Sequence, residues 1–435
     1  MEVVVTVNSK YDFSEVKKDI SCEEAVSLSN HCLNCKNPMC KKGCPLEIDI
    51  PDFISAIKNE EYERAYEIIS QKSVMPEVCG RVCPQELTCE AKCVRGLKGE
   101  SVKIGNLERF VSNYKTPIKV KKSNGLKVAV VGSGPFGLSS AYHLKKEGFD
   151  VTVFESSHVL GGVLIYGIPE FRLPKKIVDD VIYKLENMGV IFKTDVLIGA
   201  TITIEELKKN FDYIFLGTGA GVPKMFNIPG VMSKNVLSAN ELLTRINVMH
   251  APNSDTPLII PRKVVVIGGG NVACDAARSL VRLGSDVTIC YRKSEEFLKM
   301  RKEEYEHAKM EHVNFIFNAE PVRIETDKAF TVNKCVFKIA KKYEKIECDM
   351  VIIAIGTTHN DLIPRLSGIK SDEFYKIEAN DYVTSDSRVF AGGDATRGNA
   401  TVIDALSDGL KAVEKLMQII KKIDLEVRVW IRKVF

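Results

Sequence analysis

K127VAVVGSGPFGLSSAYHLKKEGFDVTVFE155 is the stretch that decides the fold. A valine-rich run ends in a glycine turn, a helical run follows, and a second valine-rich run closes on a carboxylate. Strand, glycine turn, helix and strand in that order form a βαβ unit of a parallel, doubly wound sheet. Each glycine answers a steric demand. Gly132 makes the tight turn, Gly134 lets a pyrophosphate approach the backbone, and Gly137 lets helix and strand pack closely. Ser133 and Pro135 belong to the same turn, which opens a helix whose free N–H groups and dipole favour negative charge. Glu155, about 20 residues on, is placed to accept hydrogen bonds from ribose hydroxyls. A purely structural glycine turn is the plainer reading, and the acid closing the second strand weighs against it.

The plan recurs in K263VVVIGGGNVA273 and the strand D286VTICYRK293. Gly268, Gly270, Asn271 and Val272 form this second turn. Here no carboxylate closes the strand; Arg292 and Lys293 stand in its place, and Arg301 follows. A carboxylate would repel a 2′-phosphate and cations attract one, so the site is expected to take NADPH rather than NADH. Two solvated cations at a strand end are the alternative.

Two such units in one chain suggest a flavoprotein, with FAD on the first and the nicotinamide on the second. V389FAGGDATRGNATVIDALSDG409 supports this. A strand leads to Gly393 and Asp394, whose carboxylate suits a ribityl hydroxyl, and a helix begins near Thr401. That stretch lies far along the chain, so the flavin domain must be interrupted. The joints are expected at 215–220 and 352–357, the latter containing Gly356.

Cysteine is concentrated before residue 94, where nine of the thirteen lie. H31CLNCKNPMCKKGCP45 holds Cys32, Cys35, Cys40 and Cys44, and a second group holds Cys79, Cys83, Cys89 and Cys93. The first has the spacing C-x2-C-x4-C-x3-C-P, close to the ferredoxin pattern, in which the cysteine before proline serves the other cluster. Zinc usually takes paired cysteines a dozen or more residues apart. Two [4Fe–4S] clusters are therefore expected, with tetrahedral zinc as the alternative. Cys22 reads as a buried thiol outside the pattern, His31 as a surface or packing residue, and Cys274, Cys290, Cys335 and Cys348 as small buried hydrophobes.

Apolar residues recur at helical spacing in the cysteine-bearing part, at Ile54, Ile57, Tyr62, Ala65, Ile68 and Ile69. The expected fold is α/β: an N-terminal α-helical iron–sulfur domain (1–125), then two Rossmann-like dinucleotide-binding domains. The NADPH domain (242–357) is inserted in the FAD domain (126–241 and 358–435). The last dozen residues alternate apolar and charged, like a strand. A net charge of +4 spread over both signs, with no long basic run, argues against nucleic acid. No apolar run reaches about 18 residues, so no membrane span is expected. Residues 1–13 lack the pattern of a signal peptide, and clustered thiols suit the reducing cytoplasm.

The run G161GVLIYGIPEFRLPK175, the group C79GRVCPQELTCEAKC93 and the AGGD ending resemble the small subunit of NADPH-dependent glutamate synthase. The wider family includes the N-terminal half of dihydropyrimidine dehydrogenase and the large subunit of electron-bifurcating ferredoxin:NADP oxidoreductases. The resemblance covers roughly residues 20–422. It implies that Cys32, Cys35, Cys40 and Cys93 hold one cluster and that Cys44, Cys83 and Cys89 hold the other. Counting makes Cys79 the eighth ligand, but in the dihydropyrimidine dehydrogenase relative a glutamine completes that cluster, and Glu108 occupies the matching position. Gly161, Gly162 and Arg172 resemble flavin contacts, a structural salt bridge being the other reading for Arg172. Where the family carries Met-Pro-Ala-Arg, this chain has Leu298-Lys299-Met300-Arg301. No side chain is needed as a catalytic acid, base or nucleophile. The activity implied is transfer of electrons from NADPH through FAD and the clusters to a partner, a glutamate synthase large subunit, within an oligomer. A flavoprotein partner in a bifurcating or sulfide-dehydrogenase-like enzyme, and a non-catalytic scaffold, are the alternatives.

Overall fold

The structure is a computed structural model that describes residues 11–250, 258 and 260–434. The chain divides into two compact units. One comprises Lys17–Gly162, Lys175–Ala220 and the residues from His359 onward. The other comprises the described residues up to Val16, Val163–Pro174 and Gly221–Thr358. Of residues 1–13, in which no signal-peptide pattern is expected, 1–10 lie outside the described residues.

The first unit begins with helices and no strand among the described residues before Lys127. Ser21 starts the helix Cys22–Ser29 with a reciprocal capping box to Glu24. Pro51 sits in the first turn of the helix Ile50–Lys58, where its missing N–H costs nothing. That helix buries Phe53, Ile54 and Ile57 on one face, and Tyr62–Ser70 buries Ala65, Tyr66 and Ile69. Each large apolar side chain so buried contributes about 1.5–3 kcal/mol.

The parallel sheet of this unit has the order Val389–Ala391, Tyr213–Leu216, Lys127–Val131, Asp150–Phe154, Ile191–Lys193. Val128, Ala129 and Val130 are fully buried, as expected of a strand covered on both faces. The helix Pro135–Lys146 follows the first strand and packs on the helix Val402–Val434: a Cβ on Gly409 would lie 2.7 Å from the Phe136 carbonyl oxygen. The strand Val389–Ala391 pairs in parallel with Tyr213–Leu216 although some 170 residues separate them.

The second unit has a parallel sheet ordered Val236–Ser238, Met350–Ile353, Lys263–Ile267, Asp286–Tyr291, Asn314–Phe317. An antiparallel sheet of Glu320–Thr326, Val332–Ile339 and Lys342–Glu347 accompanies it. Here a buried ionic network replaces part of the apolar core. Arg278, fully buried, donates to Glu304 and Glu311, and Arg282 also donates to Glu311. Arg172 bridges Asp275 through both carboxylate oxygens at 2.8 and 2.7 Å, and its Nε lies 3.2 Å from Glu304. The Phe171 ring lies against both guanidinium groups, 3.8 Å from Arg282 and 4.6 Å from Arg278. The segment Val163–Pro174 is thereby held to this unit.

Two expectations are corrected. The terminal alternating run is not a strand but the end of the helix Val402–Val434. No glycine or proline interrupts it after Gly409, so each residue adds one backbone bond without a new nucleus, whereas a lone strand would find no partner. Cys22 is exposed rather than buried, in the first turn of its helix, with its sulfur 3.5 Å from the Tyr114 hydroxyl. Among the described residues no helix is long and apolar enough to cross a membrane.

Candidate functional site

The N-terminal cysteines fall into two groups. Cys32, Cys35, Cys40 and Cys93 line one cavity, walled by Ile50, Ile54, Val102 and Ile104. Cys32 and Cys35 come from the turn after Cys22–Ser29, Cys40 from the short helix Met39–Gly43, and Cys93 from the end of the turn Glu90–Lys92. Gly43 allows these segments to meet: a Cβ there would lie 2.7 Å from the Thr88 carbonyl oxygen. Burial raises the Cys32 thiol and lifts that of Cys40 to about 11. The thiols stand around the cavity instead of converging: among the described residues no three His, Cys, Asp or Glu side chains come close enough to hold a single ion.

Cys44, Cys79, Cys83 and Cys89 are buried together with Glu108 of the helix Ile104–Val111. Each of Cys44, Cys79 and Cys89 feels the Glu108 charge, and burial is what chiefly raises all three thiols. The Glu108 carboxyl is itself pushed up to about 8, by burial and then by Glu77. Its Oε1 is buried with no hydrogen-bond partner. A carboxylate oxygen without a donor costs free energy in a protein interior, and a cation beside it removes that cost. Cys79 has ordinary neighbours: its sulfur lies 3.9 Å from Ser73 Oγ, and its carbonyl accepts from Gln85 Nε2. The donor set of three thiols and an orphaned carboxylate suits a thiolate-rich iron–sulfur cluster.

On the first dinucleotide turn, a Cβ on Gly137 would lie 1.9 Å from the Gly132 carbonyl oxygen, so only glycine lets helix meet strand there. Gly134 caps Pro135–Lys146 with no side-chain acceptor, leaving the helix N–H groups to an anion. Buried Ser133 organises the turn: its N–H and hydroxyl both donate to Glu155 Oε2, at 2.9 and 2.7 Å, and its Oγ accepts from Gly161 N. Glu155 Oε1 accepts from Ser156 Oγ and Ser157 N. Gly162, at φ +55°, lies against Gly134. In the same unit, Gly393 at φ +64° donates to Asp408, and burial pushes the Asp394 carboxyl up to about 6. Thr401 caps the helix Val402–Val434, its Oγ1 accepting from Asp404 N and donating to Asp404 Oδ2.

On the second turn a Cβ on Gly268 would lie 2.3 Å from the Ala354 carbonyl oxygen, and Gly270 caps Asn271–Arg282 with no side-chain acceptor. Val272 is exposed on that first turn of helix. Arg292 and Lys293 are both exposed at the strand end. Lys299 N and Met300 N donate to the Gly269 carbonyl, and Arg301 N donates to Asn271 Oδ1, so Leu298–Arg301 folds onto the glycine turn with Met300 buried. The Arg301 side chain is buried, its Nη2 3.4 Å from Glu303. Gly356, at φ +100°, accepts from Lys224 N. Arg172 is engaged by Asp275 and Glu304 and is buried in the same unit as this turn.

Residues 126–409 match the family described as pyridine nucleotide-disulphide oxidoreductase, and residues 9–120 match dihydropyrimidine dehydrogenase domain II, 4Fe-4S cluster. The chain is 30% identical over 443 residues to the NADPH glutamate synthase small chain of Escherichia coli (strain K12), covering 94% of each. The chain belongs to the glutamate synthase small-subunit family.

Other relatives include the NAD-dependent dihydropyrimidine dehydrogenase subunit PreT of Escherichia coli (strain K12), 32% identical over 411 residues, 90% of this chain and 93% of that one. Among solved structures, FprA of Mycobacterium tuberculosis in complex with NADPH matches with a TM-score of 0.59 at 18% identity, covering 69% of this chain and 86% of its own. Thioredoxin reductase of T. acidophilum matches at 0.53 and 23%, covering 66% and 95%. These two share the fold. In this glutamate synthase small-subunit relative, two groups beside Asp394 are not marked by any sequence motif. His359 Nε2 lies 2.7 Å from the Asp394 carbonyl oxygen, and Asp408 holds Gly393 N and Arg397. Neither falls at a fixed offset from a glycine turn, so no spacing rule pointed to them.

Proposed function

We propose that this chain is the electron-input subunit of a glutamate-synthase-type enzyme, oxidising NADPH and delivering electrons through FAD and two [4Fe–4S] clusters to a large synthase subunit. The observation that carries this reading is the opposite charge closing the two dinucleotide folds, Glu155 in one and exposed Arg292 and Lys293 in the other, on a chain that also gathers four cysteines around one cavity. Gly132, Ser133, Gly134, Pro135 and Gly137 would hold the FAD pyrophosphate, and Glu155 would orient the turn and meet the ribose. Gly161, Gly162, Gly393, Asp394 and Thr401 would hold the rest of the flavin. Arg172, engaged elsewhere, would act only by positioning its segment.

Gly268, Gly270, Asn271, Val272 and Gly356 would hold the NADPH diphosphate and nicotinamide, with Arg292, Lys293 and Arg301 on the 2′-phosphate. Cys32, Cys35, Cys40 and Cys93 would hold one cluster. Cys44, Cys83, Cys89 and Glu108 would hold the other, the orphaned Glu108 oxygen supporting this choice over Cys79. FAD, when bound, takes the two electrons of a hydride together and releases them singly. The protein supplies position and charge and needs no acid, base or nucleophile of its own. Thiols kept available for iron fit the cytoplasm.

The test is reduction of a small dye by anaerobically purified protein. Turnover with NADPH should exceed that with NADH by about tenfold or more in kcat/KM, the worth of one charge-assisted phosphate contact. An Arg292→Ala, Lys293→Ala variant should lose most of that preference. Flavin-loaded protein that reduces no dye would rule the reading out. The related subunit named NAD-dependent makes NADH the competing substrate, and a higher kcat/KM with NADH than with NADPH would decide for it.

A further inference from the structure

The two cysteine groups differ in access. Cys44, Cys83 and Cys89 are buried, while Cys32, Cys35, Cys40 and Cys93 are each partly exposed. The turns bearing the second set show solvent an apolar face. Leu33 is 58% exposed and Leu97 81%, while Met39 and Val94, at 42% and 40%, join Leu33 in lining the cavity itself. Apolar side chains gathered this way mark a surface that another molecule covers. Around them stand Lys36, Lys42, Lys92, Arg95 and Lys98, all exposed, and none makes an ion pair among the described residues. Of the carboxylates in the same stretches, Glu90 is occupied by Gly105 N, so these five cations outnumber the acidic groups beside them.

We infer that this face is the docking surface for a protein electron acceptor whose own contact face is apolar at its centre and acidic at its rim. The inference rests on the proposed reading of the cavity as a cluster site. Single-electron exit requires a partner's redox centre to come close to the more accessible group, with water excluded between them. Leu33, Met39, Val94 and Leu97 would supply the dry centre, and the ring of cations would steer an acidic partner to it and repel a basic one. Each NADPH supplies two electrons and releases one proton and NADP+, so it reduces two one-electron carriers.

The experiment uses the full chain loaded with flavin and iron, driven by NADPH, with two probe carriers: rubredoxin, small and acidic, and cytochrome c, small and basic. At about 10 mM salt rubredoxin should be reduced roughly tenfold or more faster than cytochrome c, and at about 0.5 M the difference should collapse. A Lys42→Glu, Leu97→Asp, Lys98→Glu variant should lose the rubredoxin rate by about tenfold while iron content and dye reduction stay unchanged. Equal and salt-independent rates with both carriers, or an unaltered rubredoxin rate in the variant, would overturn the docking surface while dye reduction persists. If the loaded protein reduces neither dye nor carrier, the electron-input reading fails first and the docking surface with it.

Discussion

Oε1 of Glu108 lies buried with no donor, in a carboxyl raised to about 8 by its surroundings. As an iron ligand it would release its proton to solvent as the metal took its place, and the side chain would stop being a liability. Glu108→Ala should therefore lower iron from about eight to about four atoms per chain, with flavin content unchanged. Glu108→Gln should retain the iron and change the electron paramagnetic signature of one cluster, because a neutral amide oxygen replaces a carboxylate. Retention of full iron in Glu108→Ala and its loss in Cys79→Ser would assign the position to Cys79 instead. Spacing alone offered Cys79, since the sequence pattern counts thiols and a carboxylate fifteen residues after Cys93 is invisible to it. The same limit holds at Ser133. The glycines around it are legible because each answers a local steric demand, but its bonds to Glu155 and Gly161 join residues more than twenty positions apart.

The helix Asn271–Arg282 shows what a pattern gives and withholds at the level of an element. Its position after a strand and three glycines was readable from order alone. Its inner face was not, because Arg278 and Arg282 look like surface charges until Glu304 and Glu311 are folded against them. Arg278→Met should cost roughly 3–5 kcal/mol in denaturant unfolding of this unit, since two carboxylates remain buried with too few donors. A pH effect follows from Glu311. Burial alone would raise its carboxyl, but the bonds from Arg282 and Arg278 hold it at about 2, below the 4.5 of the unperturbed group. A carboxyl depressed on folding stabilises fully above the unfolded value. This contribution should therefore be complete above pH 4.5 and fade as pH falls towards 2 in a urea titration, and Glu311→Gln should flatten that slope. The terminal helix is the converse case. Its alternating residues look like a strand in isolation, and continuity with the helix before them decides otherwise.

For the molecule as a whole, the alternation of strands and helices was legible, including the return of the chain to the first sheet at Val389–Ala391. What order along the chain could not reveal is that the second unit is not one continuous block. Gly161 and Gly162 end a stretch of the first unit, and Val163–Pro174 belongs to the second, where Phe171 and Arg172 meet Arg278, Arg282 and Asp275. Anyone grafting a coenzyme preference from one relative into another would naturally exchange residues 221–358 as a cassette. That cassette leaves behind the short strip that neutralises Asp275 and shelters two arginines. A graft carrying the donor's counterpart of Val163–Pro174 along with 221–358 should melt cooperatively, and one without it should melt several degrees lower by scanning calorimetry. The true module is three pieces of gene, and an exchange of 221–358 carries only one of them.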